Sequence, residues 1–276
     1  MTRSAGEPSA EWRFPNRATR MGSSAYYCIR FAPAALHDAL ATLFGWRHQV
    51  RAILEEVSDP GVARLKLDWW RDELVRSAAG APRHPLSLVL SPVIDEHRLP
   101  VEPFLAIADR TEQELRGRRG ADDAAQRHAA EQDIGALFEL ATRCHSLHDE
   151  LDLAATRHVG GWVGRVRRVR DAGLLLRKGR EVIAEERLAE AGLNHEGLIS
   201  PAHRHRLPAL LKPVAEALAD EQPQRADTAG LPRALRIHVR IHAELLRELA
   251  RSDYAVADQR IGLTPLRKLW LAWRTR

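Results

Sequence analysis

Leu36, Leu40, Leu43, Val50, Leu54 and Val57 follow one another at helical steps, with only Arg47 breaking the row. That spacing gives one long helix a continuous apolar face. Asp59-Pro60-Gly61 then stops it, because proline restricts the residue before it and glycine accepts turn dihedrals. A second amphipathic segment follows, with Val62, Leu65, Leu67, Trp69, Trp70 and Leu74. The stretch from Leu36 to Leu74 is therefore predicted to be a helical hairpin, and a chain built on such a hairpin is committed to helix-on-helix packing.

The rest of the chain agrees with an all-α class, since nowhere does alternation or a β-branched run signal a strand. Gly80 to Pro85 and Ser91-Pro92 predict a loop-rich connection after the hairpin. Helices are expected over 101–117, 124–157, 158–177, 185–192, 201–220 and 231–252, with a short one over 264–273. Gly160, Gly161 and Gly164 lie in the 158–177 segment, where missing side chains let a neighbouring helix come close. A phosphate-cradling loop would need a preceding strand there. Residues 1–20 are expected to be a flexible arm ahead of a single domain over 21–276.

At 45% apolar residues, the 276-residue chain has ample material for a core. The formal charge of +5 comes mostly from arginine, but acids and bases alternate along the helices, which describes solvated faces. The densest basic run, Arg165, Arg167, Arg168 and Arg170, has no interleaved aromatics, and no nucleic-acid partner is expected. Two cysteines, Cys28 and Cys144, build no disulfide framework and point to a reducing cytoplasm. The first twenty residues lack the apolar core of a secretory signal, and no run approaches the roughly 20 apolar residues of a membrane span. Near the C-terminus, Leu266, Leu269, Trp270 and Trp273 share one side of a helix with Arg267, Lys268, Arg274 and Arg276 around them. That pattern suits peripheral contact with an anionic membrane, at the inner face, or packing against the domain.

Several segments resemble the squalene/phytoene synthase family, in the branch that includes a mitochondrial complex I assembly factor. They are Ser23 to Tyr27, Phe31-Ala32-Pro33, Leu43 to Trp46 and Leu67 to Leu74. Later come Val182 to Leu193, where Ala184 stands for the family's proline, and the closing Ile241 to Leu269. The resemblance implies an isoprenoid synthase bundle around a central cavity. In catalytic members, an Asp-x-x-x-Asp pair and a second acidic motif hold magnesium against a prenyl diphosphate. The matching positions here are Arg51 and Glu55, and Arg167, Asp171 and Leu175.

Both motifs thus carry arginine first and an acid four residues later. A guanidinium where a dication would sit repels the metal and offers the carboxylate a bidentate partner. The expectation is a plugged cavity in which Arg51, Glu55, Arg167 and Asp171 form internal ion pairs, with no metal. An ordinary surface pair at i,i+4 is the bland alternative for Arg51 and Glu55. A third reading has Arg47, Arg51, Arg167, Arg170 and Arg180 contact a diphosphate directly, leaving its departure without metal assistance.

By resemblance, Tyr26 and Tyr27 line the pocket, and Trp70 is read as core or pocket lining. Cys144, His148 and Asp152 fall at steps of four and form a weak zinc candidate, while His203 and His205 read as solvated. The function expected is non-catalytic: binding an isoprenoid or other lipid-like ligand, or assisting respiratory complex biogenesis. The alternative is a transferase joining two prenyl diphosphates head to head, with magnesium on Glu55, Glu56 and Asp171, and Asp59 as a further candidate ligand.

Overall fold

The computed structural model describes residues 10–145 and 152–275, and among these residues every regular element is helical. The hairpin forms, but of the apolar residues read in its second helix only Leu67, Trp70 and Leu74 are buried, while Val62, Leu65 and Trp69 are exposed. α1 (Ser24–Arg30) leads into α2 (His37–Glu56), and Asp59 caps α3 (Pro60–Ala78) by accepting from the Val62 N–H at 2.8 Å. The stretch expected to be loop-rich is instead α4 (Pro85–Glu96). Pro85 occupies its first turn, where no N–H is needed, and Leu86, Leu90, Val93 and Ile94 bury one face around the internal Pro92.

α5 (Glu102–Leu115) follows, and then the predicted long helix over 124–157 runs without a gap from Asp123 to His145, a separate helix beginning at Leu153. The run from Asp123 comprises α6 (Asp123–Ala130), a π-helical turn (Glu131–Gly135) and α7 (Ala136–His145). α8 (Leu153–Arg170) begins earlier than expected, capped by Asp152, and α9 (Ala172–Arg177) is separated from it at Asp171. α10 (Glu185–Glu190), α11 (His195–Ile199), α12 (Leu207–Asp220), α13 (Arg233–Arg251) and α14 (Pro265–Arg274) complete the order.

The glycines of α8 do what close packing requires. A Cβ on Gly160 would lie 2.8 Å from Gly135 Cα and from the Ile134 carbonyl oxygen, and one on Gly135 would lie 2.5 Å from the Arg157 carbonyl oxygen. Backbone thus meets backbone where α8 crosses the π-turn, and Asp133 stands on that turn. Trp162 donates from Nε1 to the Leu218 carbonyl at 2.8 Å, tying α8 to α12. The bundle centre is filled by Phe44, Phe138, His238 and His242, with His238 stacked on Phe44 at 6.1 Å.

Residues 10–20, read as part of a flexible arm, are packed. Trp12, Asn16 and Thr19 are buried, and Asn16 donates to the Ala41 carbonyl of α2 at 2.8 Å while its Oδ1 accepts from the N–H groups of Ala18 and Thr19. One asparagine thus satisfies two orphan donors and clamps this segment to the long helix. Its sequence gives no periodicity because the anchor is a side-chain hydrogen-bond network. No helix among the described residues is long and apolar enough to cross a membrane.

Candidate functional site

α2, α5, the π-turn, α8 and the segment at Arg180 surround a cavity of about 580 Å³, open on one side past Arg17, Arg20 and Arg260. Its described walls carry nine arginines and four carboxylates, Glu55, Glu56, Asp133 and Asp171. All four degenerate motif residues, Arg51, Glu55, Arg167 and Asp171, face this one space. The expected pairing among them does not occur, because each carboxylate finds a nearer cation elsewhere, and the cavity is not plugged.

Arg51 reaches across to α5, donating to Glu114 at 2.8 Å, with Asp133 3.7 Å away. Arg47, one turn earlier on α2, makes a bidentate pair with Asp133, both contacts at 2.6 Å. Glu114 also accepts from Arg110 at 3.0 Å, from Arg168 at 3.2 Å and from Arg180. Glu181, the second acid of this inner layer, accepts from Gly120 N–H at 3.0 Å and Gln126 at 2.8 Å, with Arg110 3.7 Å away. Burial opposes ionisation of Glu114, but Arg51, Arg168, Arg180 and Arg110 outweigh it and hold the carboxyl well below its usual range. The same contest at Asp133 ends with its pKa lowered to about 2, Arg47 and Arg51 prevailing over burial.

At the rim, Glu55 pairs with Lys178 at 3.0 Å and lies 3.7 Å from Arg180. Glu56 lies 3.6 Å from Arg17. Asp171 is held by Arg170, through contacts of 2.9 and 2.5 Å, and by Arg260 at 3.0 Å.

Arg167 is the exception. Among the described residues it makes no hydrogen bond or ion pair, although it sits between Arg47, Arg170, Asp171 and Asp133. Burial, with Arg47 and Arg170 close by, pulls its pKa down to about 9, which leaves it charged at neutral pH. A guanidinium without a direct partner, turned into a cavity, is chemically able to take an anion.

Magnesium in this cavity would have to displace the cations already paired with its carboxylates. It requires oxygen ligands free to bind it, and each lining carboxylate is already engaged by one or two cations. Among the described residues, no group of three histidine, cysteine or carboxylate side chains is placed to hold a metal. Asp59, the further ligand considered, is spent capping α3.

The remaining candidates scatter. Tyr26 and Tyr27 line a different recess, between α1 and α14. Trp70 is buried against Trp69 and His84, away from the cavity. Cys144 is buried, its thiol pushed up to about 12 by burial, and Asp152 caps a separate helix, so the two do not share a helix face; His148 lies outside the described residues. His203 is half-buried on the Gly197 carbonyl and His205 is exposed. The basic run on α8 splits, Arg165 turning to Glu221, Arg168 to Glu114, Arg170 to Asp171 and Arg167 to the cavity. Sequence reasoning missed Glu114, Asp133, Arg110 and His48, and it gave Arg168 and Arg260 no place in the cavity. Only the i,i+4 spacing of Arg110 and Glu114 signals any of them.

The sequence profile of the squalene/phytoene synthase family matches residues 18–267. A presqualene diphosphate synthase from Sinorhizobium fredii (strain NBRC 101917 / NGR234) is 24% identical over 266 residues, covering 94% of this chain and 95% of its own. Among solved structures, a dehydrosqualene synthase in complex with ligand superposes with a TM-score of 0.77 at 16% identity, covering 91% of this chain and 90% of its own. Squalene synthase HpnC from Alicyclobacillus acidocaldarius superposes with a TM-score of 0.69 at 21% identity, over 86% and 92% of the two chains. These likenesses share the all-helical fold, and the profile spans both altered motifs. The chain belongs to the squalene/phytoene synthase family.

Proposed function

We propose that this chain binds the diphosphate of an isoprenoid-type ligand directly through arginine and does not carry out metal-dependent head-to-head condensation. The observation that carries the reading is Arg167, a motif position where an unpaired guanidinium faces the cavity. Direct arginine contact holds a phosphate group well but leaves a diphosphate leaving group without Lewis-acid assistance, so ionisation of an allylic substrate is slow. With farnesyl diphosphate, calorimetry in EDTA is expected to show binding, and incubation with magnesium is expected to give no condensed product. Product formation abolished by Asp171→Ala would overturn the reading.

The competing reading is an active head-to-head prenyltransferase, favoured by the full-length likeness to a presqualene diphosphate synthase. It requires Lys178, Arg180, Arg17, Arg170 and Arg260 to release Glu55, Glu56 and Asp171 to magnesium. An assembly-type role in respiratory complex biogenesis rests on the resemblance of Ser23 to Tyr27, Phe31 to Pro33, Leu43 to Trp46 and Leu67 to Leu74, the last carrying Trp69, which is 42% exposed. Capture from the source cell's membranes, compared between the wild type and Trp69→Ser, tests that role.

A further inference from the structure

On the face formed by α1 and α14, the apolar pattern is turned outward. Leu266, Leu269, Trp270 and Trp273 stand at i, i+3, i+4 and i+7 of α14, and they are 77, 41, 48 and 69% exposed. The helix buries Leu271 and Ala272 on its opposite side. Met21, 77% exposed, extends the stripe, since the adjoining Gly22 lies against Pro265 at the start of α14. Beside it opens a mainly apolar recess of about 610 Å³, reaching Tyr26, Tyr27 and Phe31. An exposed apolar area of this continuity marks a docking surface.

Charge identifies the occupant. Neither Ser24–Arg30 nor Pro265–Arg274 contains an acidic residue. Arg30 is exposed at the mouth of the recess, and Arg274 lies over the Trp270 ring at 4.9 Å, so its charge stands beside the apolar stripe. Arg240 adds an exposed cation, donating to the Arg274 carbonyl at 3.2 Å. The acids that α14 contacts through Arg267, Glu244 and Glu248, are also paired with Arg247 and Arg251. Tryptophan flanked by arginine is the composition that settles at the boundary between acyl chains and anionic headgroups.

We infer that the α1–α14 face docks on an anionic lipid bilayer, with Trp270, Trp273, Leu266 and Met21 entering the interface and Arg30 and Arg274 meeting headgroup phosphates. The recess behind Met21 accepts an acyl-chain segment. This surface is separate from the arginine-lined cavity, so it stands whatever the ligand there.

Flotation of the full chain with phosphatidylcholine vesicles, with and without phosphatidylglycerol, tests the inference. The expected result is binding that rises about tenfold with phosphatidylglycerol, weakens with salt, and falls about tenfold in the double variant Trp270→Ser/Trp273→Ser. Leu88→Ser, which removes an exposed apolar side chain on α4, is expected to bind like the wild type. Thermal melting checks that each variant folds. Equal flotation of the double variant and the wild type would overturn the inference, as would absence of binding to anionic vesicles. A concentration-dependent dimer lost in the double variant, with vesicle binding absent, would assign the face to a second copy instead.

Discussion

Two buried carboxylates in this bundle are surrounded in opposite ways. Glu73, at the corner between α3 and α4, is fully buried, and every contact is matched to it. Oε1 accepts from the backbone N–H groups of Arg83 and His84 at 2.6 and 2.8 Å, and Oε2 accepts from Arg76 at 2.8 and 3.0 Å. Burial raises its pKa, but those donors together bring it to about 2. The two N–H groups lie at the α4 N-terminus, where orphan donors favour a negative charge. Glu114 instead gathers Arg51, Arg110, Arg168 and Arg180, with Arg47, Asp133 and unpaired Arg167 beyond. The first arrangement is electrically closed. The second keeps a surplus of positive charge over open space, which the proposed anion site needs and a structural ion pair lacks.

The comparison is broken most forcefully at Glu114. Glu114→Ala leaves four guanidinium groups crowded without their common counter-charge, and a loss of about 4 kcal/mol is expected in urea unfolding. Glu73→Ala strands two backbone donors and one arginine, and a loss of roughly 3 kcal/mol is expected. A cost at Glu114 no larger than at Glu73 would show that water already compensates the inner arginines.

Acid titration gives a smaller effect of defined sign. The folded pKa of Asp133, about 2, lies below its ordinary 3.8, so its contribution is present above pH 3.8 and lost as the pH falls toward 2. For a shift of that size the contribution is about 2 kcal/mol. The stability profile of Asp133→Asn is expected to be flatter than that of the wild type over that window, as followed by circular dichroism in urea at stepped pH.

The helical class and the hairpin were legible because the spacing of Leu36, Leu40, Leu43 and Val50 repeats the period of one buried face. The altered motif positions were legible only through resemblance, and their convergence on one cavity follows from the bundle. Their partners were not legible. Glu114 lies 63 residues from Arg51, and Asp133 lies 86 residues from Arg47. An ion pair across helices leaves no periodic trace. The π-turn that carries Asp133 is equally silent, because one inserted residue barely disturbs the apolar pattern on either side. Asn16 was missed for a related reason, since a single polar residue holds a segment that has no amphipathic face.

The smallest change in stability is expected at Arg167, and its sign carries the argument. Arg167→Met keeps length and bulk but removes a half-buried charge with no direct carboxylate partner among the described residues, so the protein is expected to gain about 1 kcal/mol, seen as a rise of about 2 °C in the melting midpoint. Farnesyl diphosphate binding in EDTA is expected to weaken about tenfold or more in the same variant, because the lost contact is a charge-assisted one. Higher stability with lower affinity is what a site held ready at the expense of folding produces. A fall in melting temperature would instead mean that Arg167 is satisfied within the protein, and the contrast with Glu73 would vanish.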